Sequence, residues 1–232
     1  MINERYLPFR QLGPLTDAPV GFFVTVRQPL EAHPKVVVKE LNQLMLWPRE
    51  PNLQPNYRYE EFIEEVVGPM SYFTGPECPF SVYVPPTMCV WGRNEEGKER
   101  GFIVMRKVIG QGIESIEAIS LEVAESLDKL LALSASDPPV VIDIAKMNST
   151  PAHFHNIVVG KIGSEPDQPY YVDSYPLRVY KLPPSLKLAK MKRQKWTECM
   201  KDLKARSNGY SYPLANQVFD KYLEEYLAKL KS

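Results

Sequence analysis

The residues best suited to acid–base chemistry lie between positions 140 and 176 of the chain. His155 begins a predicted strand and Asp173 lies near the end of the next, so the two are neighbours if these strands pair antiparallel. An aspartate beside a histidine fixes the imidazole tautomer and stabilises the imidazolium, which a cysteine or serine nucleophile requires of its base. The pattern predicts a candidate base and its orienting acid. The alternative is a surface histidine at a polar strand end.

Three cysteines are the candidate nucleophiles. Cys199 lies in a predicted helix and Cys89 in a predicted strand, where a buried structural thiol is the ordinary interpretation. Cys78 lies in a proline-flanked loop and is the one that we expect to be exposed, although no helix start follows it to activate the thiol. A peptidase centre would combine His155 and Asp173 with Cys199 or Cys78.

A metal site is the weaker interpretation of the same histidines. His153 and His155 form an H-x-H pair, which on a strand places both rings on one face, and Asp143 or Asp173 could add a third ligand. No cysteine or second histidine cluster supports such a site. We therefore expect no metal and no cofactor.

A second candidate site is a basic run between Lys181 and Arg206, opposed only by Glu198 and Asp202. Such a helix could face phosphate or an acidic partner, with a tryptophan as aromatic anchor. A solvated helix face is the alternative. The candidate binding residues are Lys190, Lys192, Arg193, Lys195 and Trp196.

Hydrophobic periodicity predicts the elements that would position these residues. The N-terminal half has a predicted strand over 21–26, a helix over 34–46, an amphipathic helix around 62–70, and a hairpin of strands 80–91 and 101–109. The C-terminal half has a helix over 113–133, three β-branched strands over 139–145, 155–162 and 170–180, a lysine-rich helix over 183–205, and a terminal helix with an apolar stripe over 218–230.

These elements predict an α+β fold with a central, mainly antiparallel sheet flanked by amphipathic helices. The expected organisation is one domain over 1–232, with a subdivision into 1–110 and 111–232 as the alternative. Hydrophobic residues make up 44% of the chain and charged residues 24%, which is typical of a globular protein. The 22 prolines predict many stiff, extended connections.

Charge and cysteine content narrow the class of protein. Lys plus Arg equals Asp plus Glu at 28 each, so no overall field draws the chain to nucleic acid or to a membrane. No apolar run approaches the ~20 residues that cross a bilayer. The odd number of cysteines without metal-type spacing favours a reducing location, and we expect the cytoplasm or another reducing intracellular compartment.

Four segments in the last ~95 residues resemble, in their order, the catalytic half of the Ulp-type SUMO peptidases and adenovirus-type endopeptidases. They are PVVIDIA, His155 with NIVVGKI, YYVDSYP with Asp173, and SNGY at 207–210. In that family the last segment runs on to an Asp-Cys-Gly that carries the nucleophile, with a preceding glutamine at the oxyanion hole. Here Ser211, Tyr212 and Pro213 stand there, with Arg206 in place of the glutamine. Since a phenol cannot replace a thiolate, the resemblance implies a degenerate peptidase unless another cysteine reaches His155.

The leading hypothesis is therefore a binding, regulatory or assembly protein, because no complete catalytic constellation can be assembled. Its expected partner is another protein rather than nucleic acid, bound by the basic run or by the aromatic C-terminal residues. The alternative is a cysteine peptidase or isopeptidase with a Cys-His-Asp arrangement.

Overall fold

A computed structural model describes residues 24–27, 36–41, 59–94, 96–135, 156–172 and 185–230. These residues form helices and antiparallel sheets, so the predicted α+β class is confirmed. The chain divides into two compact units, 1–107 with 174–176 and 108–173 with 177–232. Each unit contains its own antiparallel sheet.

The sheet of the first unit has four described strands: β1 Val24–Arg27, β2 Val36–Leu41, β3 Thr87–Arg93 and β4 Glu99–Arg106. Their order is β1-β2-β4-β3, with antiparallel neighbours throughout. The sequence predicted β1, β3 and β4, but β3 begins later than expected because the 3-10 helix Ser81–Tyr83 and two prolines precede it. One core cluster joins three of these strands: Val38, Val90, Phe102 and Val104.

The helix predicted over 34–46 is wrong in its described part, because Val36–Leu41 is β2. Three consecutive valines favour an extended backbone, since β-branched side chains lose rotamer freedom in a helix. β2 lies between β1 and β4, and residues 38–41 are buried on both faces. This burial removes the polar–apolar alternation that identifies a half-buried strand.

β3 and β4 form the predicted hairpin around a turn that Asn94 organises. The Asn94 side chain accepts hydrogen bonds from the backbone N–H groups of Glu96 and Lys98, at 3.1 and 3.0 Å. It also donates to Glu40 Oε1 at 2.9 Å, which ties the turn to β2. Gly97 has a φ of 75°, a left-handed conformation that glycine adopts without steric cost. The turn thereby fixes the register of the hairpin.

The helix predicted around 62–70 is confirmed as three successive segments: α1 Tyr59–Phe62, the π-helix Ile63–Val67 and α2 Gly68–Phe73. Pro69 has no N–H to continue the α-helical ladder, and the Gly68 N–H bonds to Ile63 O. The Phe62 ring packs against Trp91, with centroids 5.5 Å apart. A Cβ on Gly101 would run into that ring, so glycine lets the helix lie on β4.

The sheet of the second unit has three described strands: β5 Ile109–Gly112, β6 Ile157–Lys161 and β7 Gln168–Tyr171. Their order is β5-β6-β7, all antiparallel. β6 and β7 confirm parts of two predicted strands, and the predicted strand over 139–145 lies outside the described residues. Gly110 and Gly160 pair across β5 and β6, where a Cβ on Gly160 would lie 2.6 Å from Gly110 Cα. The two strands therefore approach too closely for a side chain at this pair.

Three helices complete the described part of the second unit: α3 Leu121–Ala135, α4 Leu186–Arg206 and α5 Pro213–Ala228. All three were predicted, but α3 begins at Leu121 rather than at residue 113. Ser120 Oγ accepts a hydrogen bond from the Val123 N–H at 3.3 Å, as an N-cap does. The Arg206 guanidinium binds the carbonyl oxygens of Ile113 and Ile116, which would otherwise accept bonds within the predicted helix.

α5 starts from a residue that cannot cap it. Tyr212 occupies the N-cap position with a left-handed φ of 51°, and its buried side chain makes no capping bond. The carboxylate of Asp128, on α3, accepts hydrogen bonds from the N–H groups of Leu214 and Ala215 instead. A carboxylate 86 and 87 residues earlier in the chain thus satisfies two of the first donors of α5.

Candidate functional site

The acid–base and metal candidates of the sequence lie outside the described residues: Asp143, His153, His155 and Asp173. Their arrangement stays a prediction. The ladder next to them is antiparallel, as that prediction requires, with Ile157 opposite Tyr171. The last described bond of this ladder runs from the Val172 N–H to Asn156 O at 2.8 Å.

Cys78 is buried, with 4% of its surface exposed, so the expectation of an exposed thiol is wrong. The Cys78 N–H donates to Gly75 O at 3.1 Å, and the Ser81 N–H donates to Cys78 O at 2.9 Å. These successive turns fold the loop inward. The adjacent Phe80 is also buried and lies edge-to-face on Phe73, with centroids 6.3 Å apart. The loop is therefore part of the core of the first unit.

The other two thiols are held in the protonated form. Burial raises the pKa of Cys89, in β3, to about 12. Burial also raises the pKa of the half-buried Cys199, in α4, to about 11, and the carboxylates of Asp202 and Glu198 raise it further than Lys195 lowers it. Only the thiolate attacks a carbonyl, so neither cysteine is suited to nucleophilic catalysis at neutral pH.

The positions that the peptidase resemblance assigns to the nucleophile and the oxyanion hole serve the packing of the second unit. Tyr212 is fully buried at the start of α5, with its ring 5.0 Å from that of Tyr210. Burial raises the pKa of the Tyr212 phenol, which keeps it protonated. Arg206 binds the carbonyl oxygens of Ile113 and Ile116 and the carboxylate of Asp202. Both side chains are therefore held by internal contacts.

α4 separates its basic residues onto different faces. Its buried face recurs at steps of three and four residues, as expected for a helix packed on a core. That face comprises Ala189, Lys192, Trp196, Met200 and Leu203. Of the five predicted binding residues, Lys190 and Arg193 are exposed, Lys195 is half-buried, and the other two are buried.

Trp196 and Lys192 thus differ from the sequence prediction, since neither is presented at the surface. The Trp196 ring stacks on Phe219 of α5 at a centroid distance of 4.3 Å, and its N–H donates to Asn216 Oδ1 at 2.8 Å. Lys192 Nζ donates to the Tyr222 hydroxyl at 3.3 Å and lies 5.7 Å from the centroid of the Tyr226 ring. Both side chains attach α4 to α5.

Four exposed cations lie along the outer face of α4 and form what we call the basic stripe: Lys190, Arg193, Lys201 and Lys204. With 3.6 residues per turn, they fall within about 80° of the helix circumference. The stripe is about 21 Å long at a rise of 1.5 Å per residue. Lys187, the other exposed cation of α4, lies about 40° to one side of the stripe. The sequence predicted a basic run that contains the stripe residues, but not their grouping.

The two acidic residues of α4 form other contacts, although Glu198 is three residues before Lys201 and so its neighbour on the helix surface. Glu198 Oε1 accepts a hydrogen bond from Gln194 at 2.9 Å, and Asp202 pairs with Arg206. Arg193 has one long contact, 3.9 Å, with the exposed Asp220 of α5. No carboxylate in the described part of the chain lies within 4.0 Å of the three lysines of the stripe. The stripe is therefore largely unneutralised.

No protein-family model matches this chain, and no curated protein matches it either. Within the described ranges, no three His, Cys, Asp or Glu side chains are grouped so that they could hold a metal ion. The helices described here are all too short or too polar to cross a bilayer. Within the described residues, the basic stripe is the candidate functional site.

Proposed function

We propose that this chain is a binding, regulatory or assembly protein that docks an acidic surface of another protein on the basic stripe of α4. The observation that carries this proposal is the alignment of four exposed cations, three of them without a carboxylate partner among the described residues. An aligned positive surface attracts an acidic partner, speeds their encounter and disfavours basic competitors.

The charge pattern of the stripe has a cost within the free protein. Lys190 and Arg193 are three residues apart on α4, and so are Lys201 and Lys204. Like charges at this spacing are helix neighbours and repel each other by about 0.2–0.5 kcal/mol per pair. Folding of α4 gains nothing from this repulsion, whereas an acidic partner would remove it. Local patterns that oppose stability are typical of functional surfaces.

The stripe is also carried by a firmly attached helix. The Trp196 ring stacked on Phe219, the Lys192 hydrogen bond to Tyr222 and the Arg206 contacts hold α4 at three levels along its length. A binding surface on a fixed helix loses little backbone entropy when a partner docks. This attachment supports a preformed docking surface.

A protein partner is favoured over nucleic acid by two features. Single-stranded nucleic acid is bound by cations interleaved with exposed aromatic rings, but Trp196 faces the core rather than the stripe. The formal net charge of the whole chain is +0, whereas domains that bind nucleic acid are usually strongly basic overall. The three free cysteines agree with a reducing compartment such as the cytoplasm.

Charge reversal of the stripe tests the proposal. The test variant combines Lys190→Glu, Arg193→Glu, Lys201→Glu and Lys204→Glu, and the probe is fluorescent poly-L-glutamate followed by anisotropy. We expect binding at least about tenfold weaker than in the unmodified protein, because four exposed ion pairs are removed. Raising the salt concentration should weaken binding by the unmodified protein and leave the variant unchanged.

The matched control carries the same number of reversals at exposed lysines outside α4. It combines four substitutions to glutamate at Lys98, Lys129, Lys161 and Lys221. The affinity of this control for poly-L-glutamate should be within about threefold of that of the unmodified protein. The control has the same change in net charge as the test variant, but its stripe is intact. Equal losses in both variants would overturn the proposal. So would tighter, stripe-dependent binding of a mixed-sequence oligonucleotide of the same charge.

The alternative function, a cysteine peptidase using His155 and Asp173, has less support because the described thiols are buried or held protonated. Labelling with an electrophilic thiol probe at neutral pH tests it. A peptidase would show rapid labelling of one cysteine that is lost in His155→Ala. A binding protein should show slow labelling that this substitution leaves unchanged.

A further inference from the structure

The basic stripe has a spacing as well as a charge. Its cations form two pairs, Lys190 with Arg193 and Lys201 with Lys204. The second pair lies three helical turns after the first. At a rise of 1.5 Å per residue, the members of a pair are about 4.5 Å apart along the axis and the pairs are about 16.5 Å apart. The surface therefore repeats with the period of an α-helix.

Two uncharged residues, Leu186 and Thr197, lie on the same line as the four cations. Leu186, Lys190, Arg193, Thr197, Lys201 and Lys204 follow one another at steps of four, three, four, four and three, all exposed. Such steps produce a nearly straight seam along which a second helix can lie. Thr197, at the middle of the seam, is short, and its hydroxyl already donates to Arg193 O at 2.9 Å. The centre of the seam thus permits close approach and presents no unused donor that would require a partner.

Leu186 marks one end of the seam. It is the first residue of α4 and is 64% exposed, the largest exposed fraction among the large apolar residues described. An exposed leucine alone is ordinary, but this one is aligned with the stripe. A partner that covered the four cations would also cover this side chain. Burial of the leucine against an apolar group of the partner would contribute favourably to the free energy of binding.

We infer that the basic stripe takes an acidic α-helix lying along α4, with its carboxylates in two pairs three turns apart and an apolar side chain at the end that meets Leu186. This inference rests on the proposed function and specifies its partner. Carboxylates three or four residues apart in a helix have the spacing of the cation pairs, whereas residues on one face of a strand are about 6.6–6.8 Å apart. The long, exposed contact between Arg193 and Asp220 is weak enough for the partner to displace.

Synthetic helical peptides of about 22 residues test the spacing. One peptide carries glutamate pairs three residues apart that are repeated after eleven residues, and a shuffled peptide of the same composition distributes the glutamates around the helix. Circular dichroism verifies equal helicity. The ordered peptide should bind about tenfold tighter than the shuffled one, because only it can engage all four cations at once.

Leucine at one end of the ordered peptide tests the direction of the partner. The series places leucine at the N-terminal end, at the C-terminal end, or replaces it with alanine. One of the two leucine peptides should bind tightest, and Leu186→Ser should weaken that peptide about three- to tenfold while leaving the alanine peptide unchanged. Leu214→Ser is the matched control, since Leu214 is an exposed leucine at the first turn of α5 and is not part of the seam, and it should leave the binding of all three peptides unchanged.

The outcomes separate the two proposals. If ordered and shuffled peptides bind equally and both are lost on charge reversal of the stripe, the docking function stands and the helical partner is overturned. If Leu186→Ser has no effect on any peptide, the apolar end of the inference is overturned. If no acidic peptide binds and charge reversal changes nothing, the docking function itself fails.

Discussion

Oδ1 of Asp128 lies 2.8 Å from the backbone nitrogen of Ala215 and accepts its hydrogen bond. Oδ2 of the same carboxylate accepts from the Leu214 N–H and from the Tyr210 hydroxyl, each at 3.2 Å. A buried carboxylate is costly unless it is hydrogen-bonded, and here three donors and the positive end of a helix surround it. The contact therefore stabilises α3 and α5 together.

Removing this carboxylate should destabilise the second unit. Asp128→Ala leaves two backbone N–H groups and a hydroxyl without their acceptor, at an expected loss of about 2–4 kcal/mol in the free energy of unfolding. Asp128→Asn keeps one carbonyl acceptor and should lose less. Urea unfolding followed by circular dichroism measures both. The control is Glu125→Ala, an exposed carboxylate on the same helix, with an expected change below about 0.5 kcal/mol. Similar losses at the two positions would contradict a capping role.

Alkaline pH should weaken the fold through Cys89. Burial raises its folded-state pKa from the usual 9.0 to about 12, so the unfolded chain ionises first as the pH rises. The stabilising contribution is therefore complete below pH 9 and is lost between pH 9 and 12, at up to about 1.4 kcal/mol per pH unit. Denaturant unfolding measures the free energy of unfolding of the unmodified protein and of Cys89→Ala. The difference between the two values should become smaller as the pH increases. The phenol of Tyr212, whose pKa burial also raises, titrates in both proteins and cancels in the difference. Parallel stability curves would show that Cys89 does not titrate in this way.

The close approach of β5 and β6 should make one glycine irreplaceable and spare another. In Gly160→Ala the new Cβ would lie 2.6 Å from Gly110 Cα, where only backbone could move, and a loss of at least about 2–3 kcal/mol is expected. In Gly112→Ala no described atom lies within 4 Å of the new Cβ, and the φ of −57° suits alanine. That variant should be unchanged or up to about 0.5 kcal/mol more stable. Thermal unfolding of the two variants tests the contrast, and equal midpoints would contradict the strand geometry.

Trp196 should matter for stability rather than for binding. Trp196→Ala removes the stack on Phe219 and should cost about 3–5 kcal/mol, and Trp196→Phe keeps the stack but loses the bond to Asn216, at about 1 kcal/mol. The neighbouring exposed Thr197→Ala is the control for stability. Trp196→Phe should bind poly-L-glutamate as the unmodified protein does. Weaker binding by this folded variant would contradict the prediction and show that Trp196 contributes to the docking surface.

Local patterns in the sequence predicted most of the elements. α3, α4 and α5 have apolar residues at helical spacing, and the hairpin of β3 and β4 has a polar turn between two apolar runs, so each carries its own signal. β2 does not. Its burial depends on the parts of the chain that pack on the two faces of the sheet, and that is a tertiary property which periodicity within six residues cannot express.

The candidate site was predicted in composition but not in arrangement. Grouping Lys190, Lys192, Arg193, Lys195 and Trp196 follows their order in the chain, whereas a helix separates them by steps of three and four. The buried line through Ala189, Trp196 and Met200 was a usable signal, because it places Trp196 with the core. The burial of Cys78 had no comparable signal, since loop sequences do not reveal which side of a turn faces inward.

The cap that α3 provides has a consequence for synthesis of the chain on the ribosome. Asp128 is made 87 residues before Ala215, so a nascent chain holds this carboxylate without two of its backbone donors while all of α4 is translated. Burying it during that interval would be costly, and we expect α3 to dock stably only once the first turn of α5 has emerged.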